Sequence, residues 1–340
     1  MSDSNDYKIV RFHETGGPEV LRVERASMGE LKDAVVQLKV LGIGLTQGDA
    51  MYRSGTYLEK PDLPSGLGTE ICGRVEAVGD GVTKFKVGDR VSSLSSFSIN
   101  QYPIYGEYAQ LPEFSLVPTP ENFTDLEGAG YSLAYIPMYF ALMKEAMLQS
   151  GEWLVLNAGS ATTSLAALQI AKLIGAKVIG ITRSNQKALR LQSFGFDDVL
   201  VWSDAVAQEV IEITGGGAHV VLDPVMGSGC VKISEMCGWR GRIIHYGALD
   251  GPIASHSIYQ LAPKFLTVSG FTIYGYSGSQ VMDLPRNGCA MEEAISFINC
   301  GATSGALQPL IAETFVFDDV VAGHQAMQSG EHIGKLLLTF

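Results

Sequence analysis

Paired cysteines are missing from this chain. Its five cysteines, Cys72, Cys230, Cys237, Cys289 and Cys300, are odd in number and show no C-x-x-C spacing. That argues against a disulfide framework and against a cysteine-built zinc cage; they read as reduced, mostly buried small hydrophobes. Positive charge is also scarce. Twenty-four Lys and Arg stand against thirty-six Asp and Glu, a formal net charge of −12, whereas proteins that track phosphate backbones need clustered basic residues. No nucleic-acid partner and no membrane association are expected. No uninterrupted apolar run approaches the ~18 residues a membrane helix needs, and residues 1–10, MSDSNDYKIV, carry no apolar leader core, so a cytoplasmic location is expected by default. The six histidines, His13, His219, His245, His256, His324 and His332, are scattered, as surface or core side chains are, rather than spaced as a ligand set.

What the chain has in quantity is glycine, 39 residues, and apolar side chains, 46 %. This is the composition of an α/β protein with many tight turns, and 340 residues exceed one comfortable core, so two domains are expected. The organising stretch is residues 151–187. Trp153 to Leu156 has strand length, a small-residue turn runs from Ala158 to Ser164, a helix-length segment ends at Gly175, and a second strand spans Lys177 to Thr182. That order is a βαβ unit, whose right-handed crossover builds a parallel sheet. Within the helix only Gln169 and Lys172 are clearly polar, so most of its sides should be covered.

In a dinucleotide-binding turn, glycines let the backbone approach a pyrophosphate, and the next helix offers unpaired amides and a partial positive charge. The frame G-x-G-x-x-G reads Gly159-Ser160-Ala161-Thr162-Thr163-Ser164 here. Only the first glycine remains; Ala161 and Ser164 keep close approach open but resist any positive φ. After the second strand, where an NAD site places Asp or Glu, stand Thr182, Arg183 and Ser184, with Lys187 one turn on. A guanidinium, hydroxyls and an ammonium suit a phosphomonoester dianion, so the expected cofactor is NADPH (NADP) rather than NADH. The plainer reading of the same residues makes Ser184 a helix cap and leaves Arg183 and Lys187 on a solvated face.

Upstream the pattern differs. Short strand-like runs, Lys8 to Phe12, Leu21 to Val23, Val35 to Val40, Ile71 to Val78, Arg90-Val91 and Tyr105 to Leu111, are broken by Gly, Pro and Asp, as in a compact β-barrel or sandwich. Between Leu133 and Phe271 strands alternate with helical segments: Ala218 to Asp223, Arg242 to Tyr246 and Lys264 to Phe271 have strand length, and Val206 to Thr214 reads as a helix closed by Gly215. Met291 to Ile298 and Asp319 to Gln328 read as helices, Leu310 to Phe317 and Lys335 to Thr339 as strands.

The run Gly66-Leu67-Gly68-Thr69-Glu70, with Gly73-Arg74-Val75, Val78-Gly79, Gly81-Val82 and Val87-Gly88-Asp89-Arg90-Val91, resembles the catalytic domain of the medium-chain dehydrogenase/reductase superfamily. Gly151-Glu152, the turn and Leu165 to Lys172 are similar to its zinc-independent quinone oxidoreductase branch. Val220 to Gly227, Arg240-Gly241-Arg242 with Tyr246-Gly247-Ala248, Gly270-Phe271 and Gly334-Lys335-Leu336 agree with it. The resemblance implies an α/β fold class, a GroES-like β-rich catalytic domain plus a Rossmann doubly wound parallel sheet domain. Residues 1–128 and 274–340 would form the catalytic domain, and residues 129–273 the NADPH-binding one. Cofactor contacts are then expected at Gly159, Ser160, Ala161, Thr162, Thr163, Thr182, Arg183, Ser184, Lys187, Gly247, Ala248, Phe271 and Lys335.

Zinc-dependent relatives keep a Cys near Thr46 and a His where Thr69 stands; Thr46, Thr69 and Glu70 do not supply three first-shell ligands of that kind, and no metal is expected. Hydride addition to an activated alkene or quinone makes an enolate, which a donor near the oxygen stabilises. Residues 44–57 resemble the family's G-L-N-x-x-D…R-x-G-x-Y loop, which makes Tyr57 the phenol expected at the substrate oxygen; Thr46, in place of the Asn, is the second catalytic candidate. Tyr57 also suits an ordinary packing role. Arg53 is expected to pair with Asp49 or cap a turn. Pro137 stands where relatives commonly carry a cofactor-binding Thr, a loss worth about 0.5–1.5 kcal/mol. The substrate pocket should be apolar, with Tyr135, Met138, Tyr139, Ile258 and Tyr259 as candidates for its lining or for the core.

These readings converge on a metal-free NADPH-dependent reductase of a small-molecule quinone, enone or similar activated alkene. An enoyl-thioester reductase, which Asn157 and Tyr57 also resemble, and a non-catalytic NADPH-binding or structural relative stay open. The strand from Lys264 to Phe271, if it lies at a sheet edge, would pair across a two-fold axis into a homodimer.

Overall fold

The computed structural model describes residues 6–340, so the leader expectation for residues 1–10 falls partly outside the described residues. In chain order the strands are β1 (Asp6–Arg11), β2 (Arg22–Ser27), β3 (Val35–Gly44), β4 (Glu70–Val78), β5 (Arg90–Ser93), β6 (Tyr108–Pro112), β7 (Leu116–Pro118), β8 (Trp153–Leu156), β9 (Lys177–Thr182), β10 (Asp198–Val201), β11 (Ala218–Asp223), β12 (Cys237–His245), β13 (Thr267–Gly270), β14 (Ile311–Val316) and β15 (Lys335–Thr339). The chain divides into two compact units. Residues up to Ala134 together with Ile273–Phe340 form the first, and Tyr135–Thr272 the second. The first division falls inside the helix Ser132–Phe140, past the expected 129.

In the first unit a seven-stranded sheet runs β14-β15-β3-β4-β5-β7, with β6 also pairing β3. It is antiparallel except for the β14–β15 pair. Alternation along β3 and β4 buries Val36, Leu38, Ile43, Ile71 and Val75 in one core with Val91 and Leu111. The chain's last strand belongs here because Leu337 and Leu338 of β15 register with Gly44 and Ile43 of β3. Residues 47–53, read as loop, form a helix (Gln47–Arg53). A capping box explains it: Thr46 Oγ1 accepts from the Asp49 amide while Asp49 Oδ2 accepts from the Thr46 amide, 2.9 Å.

Arg53 does not pair with Asp49 as expected. It is fully buried and donates to the Gly16 carbonyl, to Nδ1 of His324 at 2.7 Å and to Gln328. All five cysteines are free, as expected, and three of them, Cys72, Cys230 and Cys237, are buried; Cys289 and Cys300 lie exposed on the helix Gly288–Ser304.

In the second unit all six strands are parallel in the order β10-β9-β8-β11-β12-β13. From β8 the chain winds outward to β9 and β10, then returns to lay β11, β12 and β13 on the other side. This is the doubly wound order of a Rossmann sheet, with its switch point between β8 and β11. The helix Thr162–Ile174 ends on Gly175 in the left-handed region, φ 86°, a conformation glycine adopts without a Cβ penalty. Strand β10 was not anticipated, although Val199, Leu200 and Val201 form a short apolar run. Strand β13 starts at Thr267 instead of Lys264 because Ile258–Lys264 is a helix. No helix among the described residues is long and apolar enough to cross a membrane.

Candidate functional site

In the second unit the turn after β8 is pulled onto β9 by the Gly159 amide, which donates to the Ile181 carbonyl at 2.7 Å. A Cβ on Gly159 would lie 3.2 Å from Gly180 Cα and 3.3 Å from Ile181 N, so close packing is what requires this glycine. The turn's positive φ falls on Ala158, 58°, whereas Ala161 is extended at φ −70°. The replacements at Ala161 and Ser164 therefore bring no backbone strain. No side chain caps the start of helix Thr162–Ile174, which leaves an uncapped end with the positive pole of its dipole at Thr162 and Thr163.

Lys187 reaches back from the helix Asn185–Leu191 to donate to Ser160 Oγ at 3.3 Å, so two candidates from either side of β9 meet. Ser184 is that helix's N-cap, accepting from the Lys187 amide, and Thr182 Oγ1 accepts from the Ser184 amide at 3.4 Å. The capping reading of Ser184 is thus what the geometry contains, and it orients the helix that carries Lys187. Arg183 is exposed and makes no hydrogen bond among the described residues. Thr163 shares a hydrogen bond of 3.1 Å with Tyr246, whose phenol is pushed up to about 12 by burial. A Cβ on Gly247 would sit 2.7 Å from the Pro224 carbonyl, so the loops after β11 and β12 touch there; Ala248 is exposed, and the Phe271 amide donates to the His245 carbonyl.

Sequence reasoning missed Asp223, which closes β11 and accepts from Asn157 Nδ2 at 2.8 Å and from the Val225 and Met226 amides. Burial pushes its carboxyl up, but the His245 ring beside it, with hydrogen bonds from the Val225 amide and Asn157, outweighs that and holds it below the ordinary value. The expected pocket-lining residues are not gathered. Tyr135, Met138 and Tyr139 are core, with Tyr135 donating to Gln169, while Ile258 and Tyr259 are 64 % and 85 % exposed.

In the first unit Tyr57 is half-buried at the edge of a hollow of about 300 Å³, open mouth included, lined by Phe97, Ile99, Tyr274, Val281 and Met282 among others. Its hydroxyl lies 2.8 Å from that of Tyr274. Burial first, and then the neighbouring Tyr274, raise the Tyr57 pKa far above the ordinary phenol value, so it stays protonated and serves as a donor. Nothing in the sequence pattern marked Tyr274. Thr46 stands close by in sequence, but its hydroxyl is engaged as a helix cap and lies 3.0 Å from Thr69 Oγ1.

Where zinc-dependent relatives hold a ligand, Thr69 donates to Asp49 Oδ1 at 3.0 Å, Tyr105 donates to Asp49 Oδ2, and Lys335 donates to Glu70. Lys335 is buried and its ammonium rests on that carboxylate. Hydroxyls and a carboxylate–ammonium pair replace the thiolate and imidazole that zinc favours.

Residues 32–121 match the family model described as alcohol dehydrogenase GroES-like domain, and residues 163–286 the one described as zinc-binding dehydrogenase. The quinone oxidoreductase of Pseudomonas aeruginosa is 30 % identical over 335 residues, 97 % of this chain and 99 % of that one. The chain belongs to the quinone oxidoreductase branch of the medium-chain dehydrogenase/reductase superfamily. Within that branch the human quinone oxidoreductase is 27 % identical over 97 % of both chains. The crystal structure of Escherichia coli quinone oxidoreductase complexed with NADPH superposes with a TM-score of 0.87 at 27 % identity, covering 98 % of this chain and all of that one.

Proposed function

We propose that the protein is an NADPH-dependent oxidoreductase that reduces a quinone, enone or similar activated alkene without a metal at the reacting oxygen. The full-length similarity to quinone oxidoreductases carries this reading. The turn fits a dinucleotide: Gly159, Ser160, Ala161, Thr162 and Thr163 offer a close-packed backbone and an uncapped helix start to a pyrophosphate. Arg183 and Lys187, with the hydroxyls of Thr182 and Ser184, suit the 2′-phosphate and favour NADPH over NADH. Gly247, Ala248 and Phe271, at and beyond the ends of β12 and β13, complete the cofactor contacts.

When bound, NADPH supplies the hydride. Tyr57, held beside the Tyr274 hydroxyl and kept protonated by burial, donates to the substrate oxygen on which negative charge develops. The apolar side chains of Phe97, Ile99 and Val281 exclude water from that oxygen and strengthen the contact. Thr46 and Lys335 act as supports: Thr46 caps the helix leading to Tyr57, and Lys335 neutralises Glu70.

The test is NADPH oxidation followed spectrophotometrically with a panel of quinones, enones and one enoyl thioester. Acceptor-dependent oxidation by quinones or enones is expected; oxidation by the thioester alone would move the assignment to an enoyl-thioester reductase, and tight NADPH binding with no acceptor reduced would overturn catalysis.

A homodimer through β13 belongs to the same reading. This strand is at the sheet edge, and Phe265 and Trp239, 61 % and 63 % exposed, pack ring against ring at 4.8 Å beside it. Light scattering should give twice the chain mass, and Val268→Lys should give the monomer; a monomeric wild type removes the dimer.

A further inference from the structure

Three side chains unused above converge at the C-terminal ends of β11 and β12. His245 closes β12, Cys230 opens the helix Cys230–Glu235, and His256 stands in the loop that follows β12. Their ligand atoms all lie within 4.8 Å of one another, and the Nε2 atoms of the two histidines are 3.0 Å apart. Scattered in sequence, they are gathered by the parallel topology, which brings neighbouring strand ends together.

The outer nitrogen of each ring decides what the inner one can do. His245 Nδ1 lies 3.0 Å from Asp223 Oδ2. The contact is short but bent, with no aligned hydrogen bond at that nitrogen, so the carboxylate fixes the Nδ1-protonated tautomer through its charge. His256 Nδ1 lies 2.5 Å from Ser234 Oγ, and Ser234 donates its own proton to the Cys230 carbonyl at 3.1 Å, which leaves Oγ to accept. Both ring protons then sit on outer nitrogens. Two Nε2 lone pairs face each other at hydrogen-bond distance with no proton between them, an arrangement that a cation relieves. Burial and the nearby Asp223 charge keep the Cys230 sulfur a thiol in the empty site, against a hydrogen bond from the Ser255 amide.

We propose that Cys230, His245 and His256 form a zinc site with one thiolate and two imidazole ligands, its rings aimed by Asp223 and Ser234. Thiolate and imidazole are donors zinc prefers, and bonds of about 2.3 Å to sulfur and about 2.0 Å to nitrogen put tetrahedral ligand atoms roughly 3.3–3.6 Å apart. The two nitrogens already stand near that spacing, and the sulfur closes by no more than about 1.2 Å. Binding releases the Cys230 thiol proton to solvent, and a water fills the fourth position beside the half-buried His256. The metal would clamp the loop 246–257 to the sheet. Through Asp223, which also holds Asn157, it would share a carboxylate with the dinucleotide turn. The expectation of no metal rested on Thr46, Thr69 and Glu70, on cysteines without C-x-x-C spacing and on histidines scattered in sequence, and the proposed site sets the last two arguments aside, because spacing in sequence does not show what the strands bring together.

Cobalt(II) is the probe. The reduced full chain is stripped with chelator and titrated with Co²⁺. One equivalent should give a sulfur-to-cobalt charge-transfer band that Zn²⁺ bleaches, that Cys230→Ser abolishes and that His256→Gln weakens at least tenfold in affinity. The other four cysteines remain in both variants as controls. If Cys230→Ser does not fold, His256→Gln, in a half-exposed loop, carries the test together with zinc protection of residues 246–257 from proteolysis. No band in wild type, or a band and protection that survive these substitutions, overturns the site; Ser234 would then donate to His256, and the two imidazoles would satisfy each other.

Discussion

In the unit built from the two ends of the chain, one buried cluster closes on itself: Glu70 meets Lys335, and Asp49 takes hydrogen bonds from Thr46, Thr69 and Tyr105, while Arg53 rests on His324, whose Nε2 is left without a hydrogen bond. In residues 135–272 the polar groups at the strand ends include a helix start without a side-chain cap, an exposed guanidinium at Arg183 and two imidazole Nε2 atoms 3.0 Å apart. A closed network admits a guest only by breaking itself, whereas an open donor set gains by meeting one. The first pattern marks scaffold, and the second marks binding surface. Tyr57 is the exception in the scaffold unit, half-buried with a partner on one side and a hollow on the other.

The strongest way to break the comparison is to open the closed unit. Lys335→Met strands the fully buried Glu70 carboxylate and should cost about 3–5 kcal/mol of stability in urea unfolding, most of it recovered by adding Glu70→Gln. Recovery failing in the double variant would show that Lys335 has a task beyond neutralising Glu70.

Next comes His324, pulled down to about 3 by burial and then by Arg53. The folded chain keeps it neutral while the unfolded chain takes up a proton near 6.5. Its share of stability is therefore intact above that value and is lost as pH falls toward 3, at about 1.4 kcal/mol per pH unit. His324→Gln should flatten that slope when urea midpoints are compared between about pH 4 and pH 7.

Tyr57→Phe should lower kcat/KM about 100-fold with NADPH affinity unchanged. Thr46→Ala, by contrast, should remove about 1 kcal/mol of stability through the lost cap and change kcat/KM far less than Tyr57→Phe. The reverse order of effects would make Thr46 the catalytic group.

The open unit was the more legible of the two. Strands β8 and β9 and the helix stop at Gly175 stand where the residues put them, because continuous apolar runs punctuated by glycine are local signals. The phosphate candidates around Arg183 come from one short stretch. What was not legible depends on residues far apart in sequence. Arg53 finds His324, Glu70 finds Lys335, Tyr57 finds Tyr274, and Cys230 finds His245 and His256 only after the strands pair. The helix Gln47–Arg53 was missed although its capping box is local, because residues 44–57 were read as a loop from their family resemblance.

The measurement that reaches the central claim most directly is the dissociation constant of NADPH and of NADH, on wild type and on Arg183→Ala. If the open end of the second unit holds the 2′-phosphate, the substitution should weaken NADPH by about 1.5–3 kcal/mol, roughly ten- to a hundredfold, and leave NADH nearly untouched. Equal losses for both cofactors, or no binding of either to wild type, would contradict it.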